Sequence, residues 1–254
     1  MNNQMEETAS SADRLEREKK FHDEVYESDA RSNLAGLYAA SSPIRRRFES
    51  SILESCSGKR ILEYGCGMGS YGFLLASRGA VVTGIDISEF AVNTAKQRAE
   101  QEGIQIDFRV MDAEKLTFED RSFDLICGTG ILHHLNIERA AAEIRRTLKP
   151  SGKAIFIEPL GHNPFVNLFR RLTPGMRSTD EHPMTVADLK YLQKEFRFAT
   201  IVHYYLLSLC ALPLKDFGFF ASILNVLDRA DQKLFAALPF LKRYSWQVLL
   251  TMEP

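Results

Sequence analysis

From residue 59 onward, short apolar runs alternate with amphipathic stretches in the rhythm of a parallel sheet flanked by helices. Arg60–Tyr64, Ala80–Asp86, Ile104–Met111, Ser122–Gly128 and Lys153–Glu158 read as five strands. Between them lie helices over Ser70–Ser77, over Glu89–Glu102 and from Asn136 to Leu148. The second carries Ala91, Val92 and Ala95 on one stripe, with Ser88 placed as N-cap and Gly103 as its stop. Lys149-Pro150-Ser151-Gly152 is a turn suited to ending the third. Farther on, Thr185 to Phe196 fits a capped helix, Ala199–Leu207 a sixth strand and Ser245–Met252 a seventh. Upstream, residues 1–13 are polar and acidic and read as a disordered tail. Leu15–Tyr26 is a charged helix with Phe21, Val25 and Tyr26 as its apolar points, and Ile44–Leu53 is a second helix.

With 254 residues, 45% of them apolar, the chain suits one large α/β domain with decorations. A net charge of −1 gives no basic field, so no nucleic-acid partner is expected. Cys56, Cys66, Cys127 and Cys210 show no C-x-x-C spacing, which indicates neither a disulfide framework nor a metal site. Together with an N-terminus that lacks the apolar core of a signal peptide, this makes a reducing cytoplasm the expected location.

Candidate chemistry concentrates where the first strand meets its helix, in Glu63-Tyr64-Gly65-Cys66-Gly67-Met68-Gly69-Ser70-Tyr71-Gly72. Glycines there permit positive φ and let a ligand approach the main chain. The helix beyond presents free N–H groups to it. Gly67 to Gly72 also fits the dinucleotide pattern G-x-G-x-x-G, a weak signal alone. Glu63 argues against a pyrophosphate, which a carboxylate repels, and for a ligand bearing an ammonium group. Asp86, 21 residues beyond Gly65, stands where the second strand of such a fold delivers a carboxylate to a ribose diol.

The run Glu63-x-Gly65-x-Gly67-x-Gly69 resembles the first motif of the class I S-adenosylmethionine-dependent methyltransferases. Phe123–Ile126 with Ile131–Leu135, and Leu148-Lys149-Pro150-x-Gly152 before an apolar strand, resemble later segments of the same family, so the likeness covers about residues 59–160. It implies a doubly wound seven-stranded sheet of order 3-2-1-4-5-7-6 with the last strand antiparallel, and S-adenosylmethionine as cofactor. It further implies that Glu63 contacts the methionine end through the loop backbone or water, with Gly65, Gly67 and Gly69 flanking it. Asp112 would accept from the adenine amino group, Ala113 would offer its N–H, and Ile87 or Met111 would pack on the purine. The loop Gly128-Thr129-Gly130, beyond the fourth strand, is placed to see both cofactor and acceptor. Glu18-Lys-Lys-Phe21-His22-Asp23 resembles a lid helix of this family, which would turn His22 and Tyr26 to the active site. A solvated helix docked through Phe21 and Val25 fits as well. The expected organisation is therefore a tail over 1–13, lid helices over 14–58 and a methyltransferase domain over 59–254.

Residues 159–184 and 208–244 are the expected acceptor-pocket insertions. Glu158, at a strand's carboxyl end, and His133 or His162 are the candidate bases, with His134 and His182 beside them. The alternative is that these groups brace loops, Glu158 through Arg170 or Arg171. Arg170, Arg171 and Arg177 also suit an anionic substrate group. The phenylalanine-rich tail is interrupted by Pro213, Lys215 and Asp216, which excludes a membrane span there. It leaves a helical cap over an apolar acceptor, a surface resting on a membrane, or helices that simply close the core. The expected reaction moves a methyl group to oxygen, or second to carbon, of a small, apolar or lipid-like molecule. Positioning does most of that chemistry. A nucleotide-dependent oxidoreductase and a noncatalytic cofactor-binding module are the competing readings.

Overall fold

The apolar runs assemble side by side in one sheet of order β3-β2-β1-β4-β5-β7-β6 in the computed structural model, which describes residues 2–28, 42–173, 178 and 180–254. Its strands are β1 (Arg60–Tyr64), β2 (Val81–Asp86), β3 (Asp107–Val110), β4 (Phe123–Thr129), β5 (Leu148–Pro159), β6 (Phe198–Tyr204) and β7 (Gln247–Glu253). β1 to β5 are mutually parallel, while β7 runs antiparallel between β5 and β6. This is the expected order and direction. The turn Leu148–Gly152 belongs to β5, whose register against β4 slips between Phe123 and Leu125. That irregularity lets a Pro-containing turn ride on the strand.

Helices cover both faces because the strands are apolar on both sides. α2 (Ser42–Leu53) lays Ile44, Phe48 and Ile52, spaced one turn apart, into a cluster with Leu75, Tyr205 and Trp246. It was expected as part of the lid. Its stripe instead makes it a sheet-covering helix, and the Ile44 N–H donates to the Tyr205 hydroxyl at 3.1 Å. On another cluster, α5 (Ile137–Thr147) and α7 (Val186–Glu195) contribute Ala140, Ala141, Ile144, Leu189 and Leu192. α3 (Gly72–Ser77) and α4 (Glu89–Glu102) complete the wound half. Ser88 caps α4 by accepting from the Ala91 N–H, and Gly103 ends it at φ 65°.

α1 (Asn2–Glu27) is one continuous helix, so residues 2–13, expected as a disordered tail, are helical. Once the docked part has nucleated the helix, extending it through residues such as Met5, Glu6 and Glu7 needs little more. Beyond β6, the 3-10 turn Leu207–Leu214, α8 (Phe220–Ala237) and the 3-10 turn Pro239–Tyr244 form a compact appendage. Fully buried Asp231 ties it together, accepting from the Leu206, Leu207 and Ser208 N–H groups and the Ser208 hydroxyl. Gln232 donates to the His203 carbonyl at 2.8 Å, which fixes α8 to the β6 edge. Among the described residues no helix is long and apolar enough to cross a membrane.

Candidate functional site

A cavity opens at the carboxyl ends of β1, β2 and β4, with α1 across it. Gly65, Asp86, Ile87, Asp112, Ala113 and Thr129, six of the residues put forward for the cofactor, line its floor. Leu15, Glu18, His22 and Tyr26 from α1 form the roof, where the resemblance places a lid helix. No residue of 208–244 lines the cavity. The tail helices close the β6 edge.

The glycine loop works through its main chain. Gly65, Gly67 and Gly69 hold φ of 74°, 51° and 87°. A Cβ on Gly65 would stand 2.9 Å from Ile131, and one on Gly67 2.7 Å from the Tyr26 hydroxyl. Any larger residue would therefore push at the cavity wall or the lid. Gly69 faces Phe73 and stands outside the lining. The Gly67 N–H donates to Asp86 Oδ2 at 2.8 Å, and the Ser88 N–H to Oδ1 at 2.9 Å. These bonds hold the Asp86 carboxylate at the mouth of β2.

Glu63 bonds to the main chain at the end of the glycine loop, the backbone through which the resemblance has it act. Only 1% exposed, it accepts from the Tyr71 N–H at 2.7 Å, the Gly72 N–H at 2.8 Å and the Ser70 hydroxyl at 3.1 Å. It anchors the start of α3 and does not line the cavity. Burial pushes its carboxyl up to about 7, against the pull of those donors.

The three candidate bases all lie outside the lining. Glu158 is fully buried and accepts from the Ile131 and Leu132 N–H groups at 3.0 and 2.8 Å, with His133 Nδ1 2.7 Å from its other oxygen. Arg170, offered above as its partner, instead donates to the Leu160 carbonyl and Asn167. His162 accepts from the Val186 N–H at 3.2 Å at the start of α7. Glu158 and His162 thus accept from loop and helix backbone, and not through Arg170 as the alternative above had it. Arg177 lies outside the described residues.

Of the adjacent His133 and His134, it is His134 that lines the cavity, as His22 does from above. His134 Nδ1 stands 3.0 Å from Glu18 Oε2, and His22 Nε2 stands 3.4 Å from the same oxygen. Glu18 is 5% exposed. Burial opposes its ionisation, yet His134, His22 and the Ser178 hydroxyl overcome this and hold its carboxyl well below the usual range. Arg14, which also lines the cavity, pairs with Glu114. The lid is further held by Asp23, which accepts from the Ser88 hydroxyl and, at 3.3 Å, from the Phe90 N–H. Lys19–Glu89 and Arg17–Asp180 add ion pairs at 2.9 Å. Glu18 and Arg14 were missed in the sequence. Their signal was the four-residue spacing of Arg14, Glu18 and His22, which puts three polar groups on one helix face.

Residues 61–152 match the profile described as "Methyltransferase domain". The chain is 35% identical over 115 residues to the ubiquinone biosynthesis O-methyltransferase of Coxiella burnetii, covering 45% of this chain. It spans about half, 49%, of that relative's length. To the protein of the same name from Nitrosomonas europaea it is 30% identical over 161 residues, covering 63% of this chain and 68% of the relative. Among solved structures it is similar to geranyl diphosphate C-methyltransferase from Streptomyces coelicolor A3(2), with TM-score 0.58 and 14% identity over 83% of this chain and 76% of that one.

Proposed function

Because the chain belongs to the class I S-adenosylmethionine-dependent methyltransferases, we propose that it transfers the cofactor's methyl group to an oxygen of a small acceptor with an apolar body. The observation that carries this reading is the pairing of two carboxylates with a glycine loop around one cavity: Asp86 and Asp112 line it, and Gly65 offers backbone without side-chain bulk. Asp86, already holding the loop through Gly67, presents a carboxylate to the two hydroxyls of a ribose. Asp112, oriented by the Glu114 N–H at 2.8 Å, suits an exocyclic amino group. A carboxylate accepts hydrogen bonds and offers none, so these positions suit sugar and base donors and repel a diphosphate. Bound there, the cofactor supplies a methyl on a positively charged sulfur, with a neutral thioether as leaving group.

The chain's own contribution is to orient, exclude water and handle a proton. Leu15, Ile131 and Leu135 supply apolar wall, and the lid closes over them. Glu18, His22 and His134 form the polar patch of that wall, where an acceptor hydroxyl would be activated. Oxygen is preferred to carbon because of the O-methyltransferase relatives. An apolar or lipid-like acceptor is supported by that lining, and peripheral membrane contact by α6 (Pro164–Leu172), whose Phe165 and Leu172 are 78% and 73% exposed beside exposed Arg171.

The test is calorimetric titration of the full chain with S-adenosylmethionine and, separately, NADH, followed by mass spectrometry of hydroxylated acceptors incubated with the cofactor. Binding of S-adenosylmethionine alone and a 14 Da gain on an acceptor oxygen are expected, about the mass of one methylene. NADH binding in its place would overturn the reading.

A further inference from the structure

We propose that Glu18, His22 and His134 form a binding site for a divalent transition-metal ion, of the Zn²⁺ type, in the wall of the cavity. Their donor atoms all lie within 4.8 Å of one another. The two separations from Glu18 Oε2, 3.0 and 3.4 Å, bracket the roughly 3.3 Å between donors around a tetrahedral zinc whose ligands stand ~2.0–2.1 Å away. Two histidines and one carboxylate are a donor set that such ions accept.

A second observation points to a ligand. Glu18 Oε2 and His134 Nδ1 are buried, lie 3.0 Å apart, and yet neither has a hydrogen-bond partner of acceptable geometry. Buried polar atoms left this way are costly, and a cation bound by both lone pairs removes the deficit. Arg14, the neighbouring cation, does not compete for the carboxylate, because it pairs with Glu114. Ser178 engages the other oxygen of Glu18, which fixes the carboxylate's orientation.

Topology gives the site a consequence. Glu18 and His22 are one turn apart on the lid, whereas His134 stands on the loop after β4. An ion here joins the lid to the core. Three protein ligands leave a fourth position, and the cluster lines the cavity, so that position is open to an acceptor. Resting on the methyl-transfer reading, the ion would take the acceptor's hydroxyl oxygen and lower its pKa so that the proton leaves to water; the oxygen–carbon bond then forms as the carbon–sulfur bond breaks, its electron pair staying on the neutral thioether. The neighbouring group His133, His134 and Glu181 is also within 4.8 Å, but His133 Nδ1 is engaged by Glu158.

The test uses the full chain, stripped with a chelator and then titrated with Zn²⁺ by calorimetry and Co²⁺ by visible absorption. One Zn²⁺ per chain and the d–d bands of low-symmetry Co²⁺ are expected. Glu18→Gln and His22→Ala, checked for folding by circular dichroism, should each weaken binding about tenfold or more, while Glu181→Ala and His162→Ala should not. Absence of stoichiometric binding, or binding indifferent to His22→Ala, overturns the site. S-adenosylmethionine titrated into the stripped protein separates the two proposals. If the cofactor binds and zinc does not, the metal site alone falls. If zinc binds and the cofactor does not, the metal site stands and the methyl-transfer reading falls.

Discussion

Glu63 and Asp86 are acids near the tips of adjacent parallel strands, and they do different work. Glu63 pairs in register with Gly84, two residues short of Asp86. At that lower position it meets the first turn of α3 and is enclosed by three donors. Asp86, the last residue of β2, takes two loop N–H groups and remains half-buried at the cavity. The difference teaches that a carboxylate's role at a strand tip is set by its height relative to the next helix. One acid builds the floor, the other meets what rests on it.

The sharpest way to break this contrast is Glu63→Ala, which strands two buried N–H groups and leaves a hole. It should lower folding stability by about 4 kcal/mol, read from the urea midpoint. An unchanged midpoint would make Glu63 a mere bystander. Next comes pH. With its carboxyl raised from 4.5 to about 7 by burial, Glu63 keeps a proton in the folded state that the unfolded chain releases. Its contribution is fully present below pH 4.5 and lost as pH rises through about 7, worth about 3 kcal/mol at most. Comparing urea midpoints across that window, the protein should lose more stability than Glu63→Gln, which has no proton to release. Asp86→Ala should act on the ligand more than on the fold, weakening S-adenosylmethionine about 100-fold in calorimetry, or roughly 2.7 kcal/mol. Equal affinities would remove the ribose assignment. The smallest effect is expected for Asp23→Ala, which removes the lid's contact with the start of α4. It should loosen α1 by about 1 kcal/mol, seen as faster amide exchange over residues 13–27 with the sheet unchanged.

The elements were legible because each apolar run is long enough and capped clearly enough to fix them, as Ser88 and Gly103 do for α4, while the strand order followed from the resemblance. The floor of the site was laid out by spacing and resemblance: Gly65 and Asp112 fall on loops, and Asp86 on the last residue of β2, whose places the sheet dictates. What sequence could not weigh was depth. Glu63 and Glu158 carry the residue type and strand position of site residues, but backbone N–H groups surround both. Between adjacent His133 and His134, one turns to Glu158 and the other to Glu18, a choice made by partners 25 and 116 positions away in sequence. The lid's role needed the docking of α1, which residues distant in the chain supply. In the same way the stripe of Ile44, Phe48 and Ile52 announced a buried face on α2 without saying that its partner was the sheet.

β7 lies between β5 and β6 and bonds to both, with Ile157 facing Leu249 on one side and Val202 facing Leu249 on the other. While a ribosome is making this chain, β5 and β6 therefore wait with bare edges until residues 247–253 leave the exit tunnel. The nascent protein passes through a stage in which its cofactor half is complete and its sheet is still split, when a chaperone has most to protect.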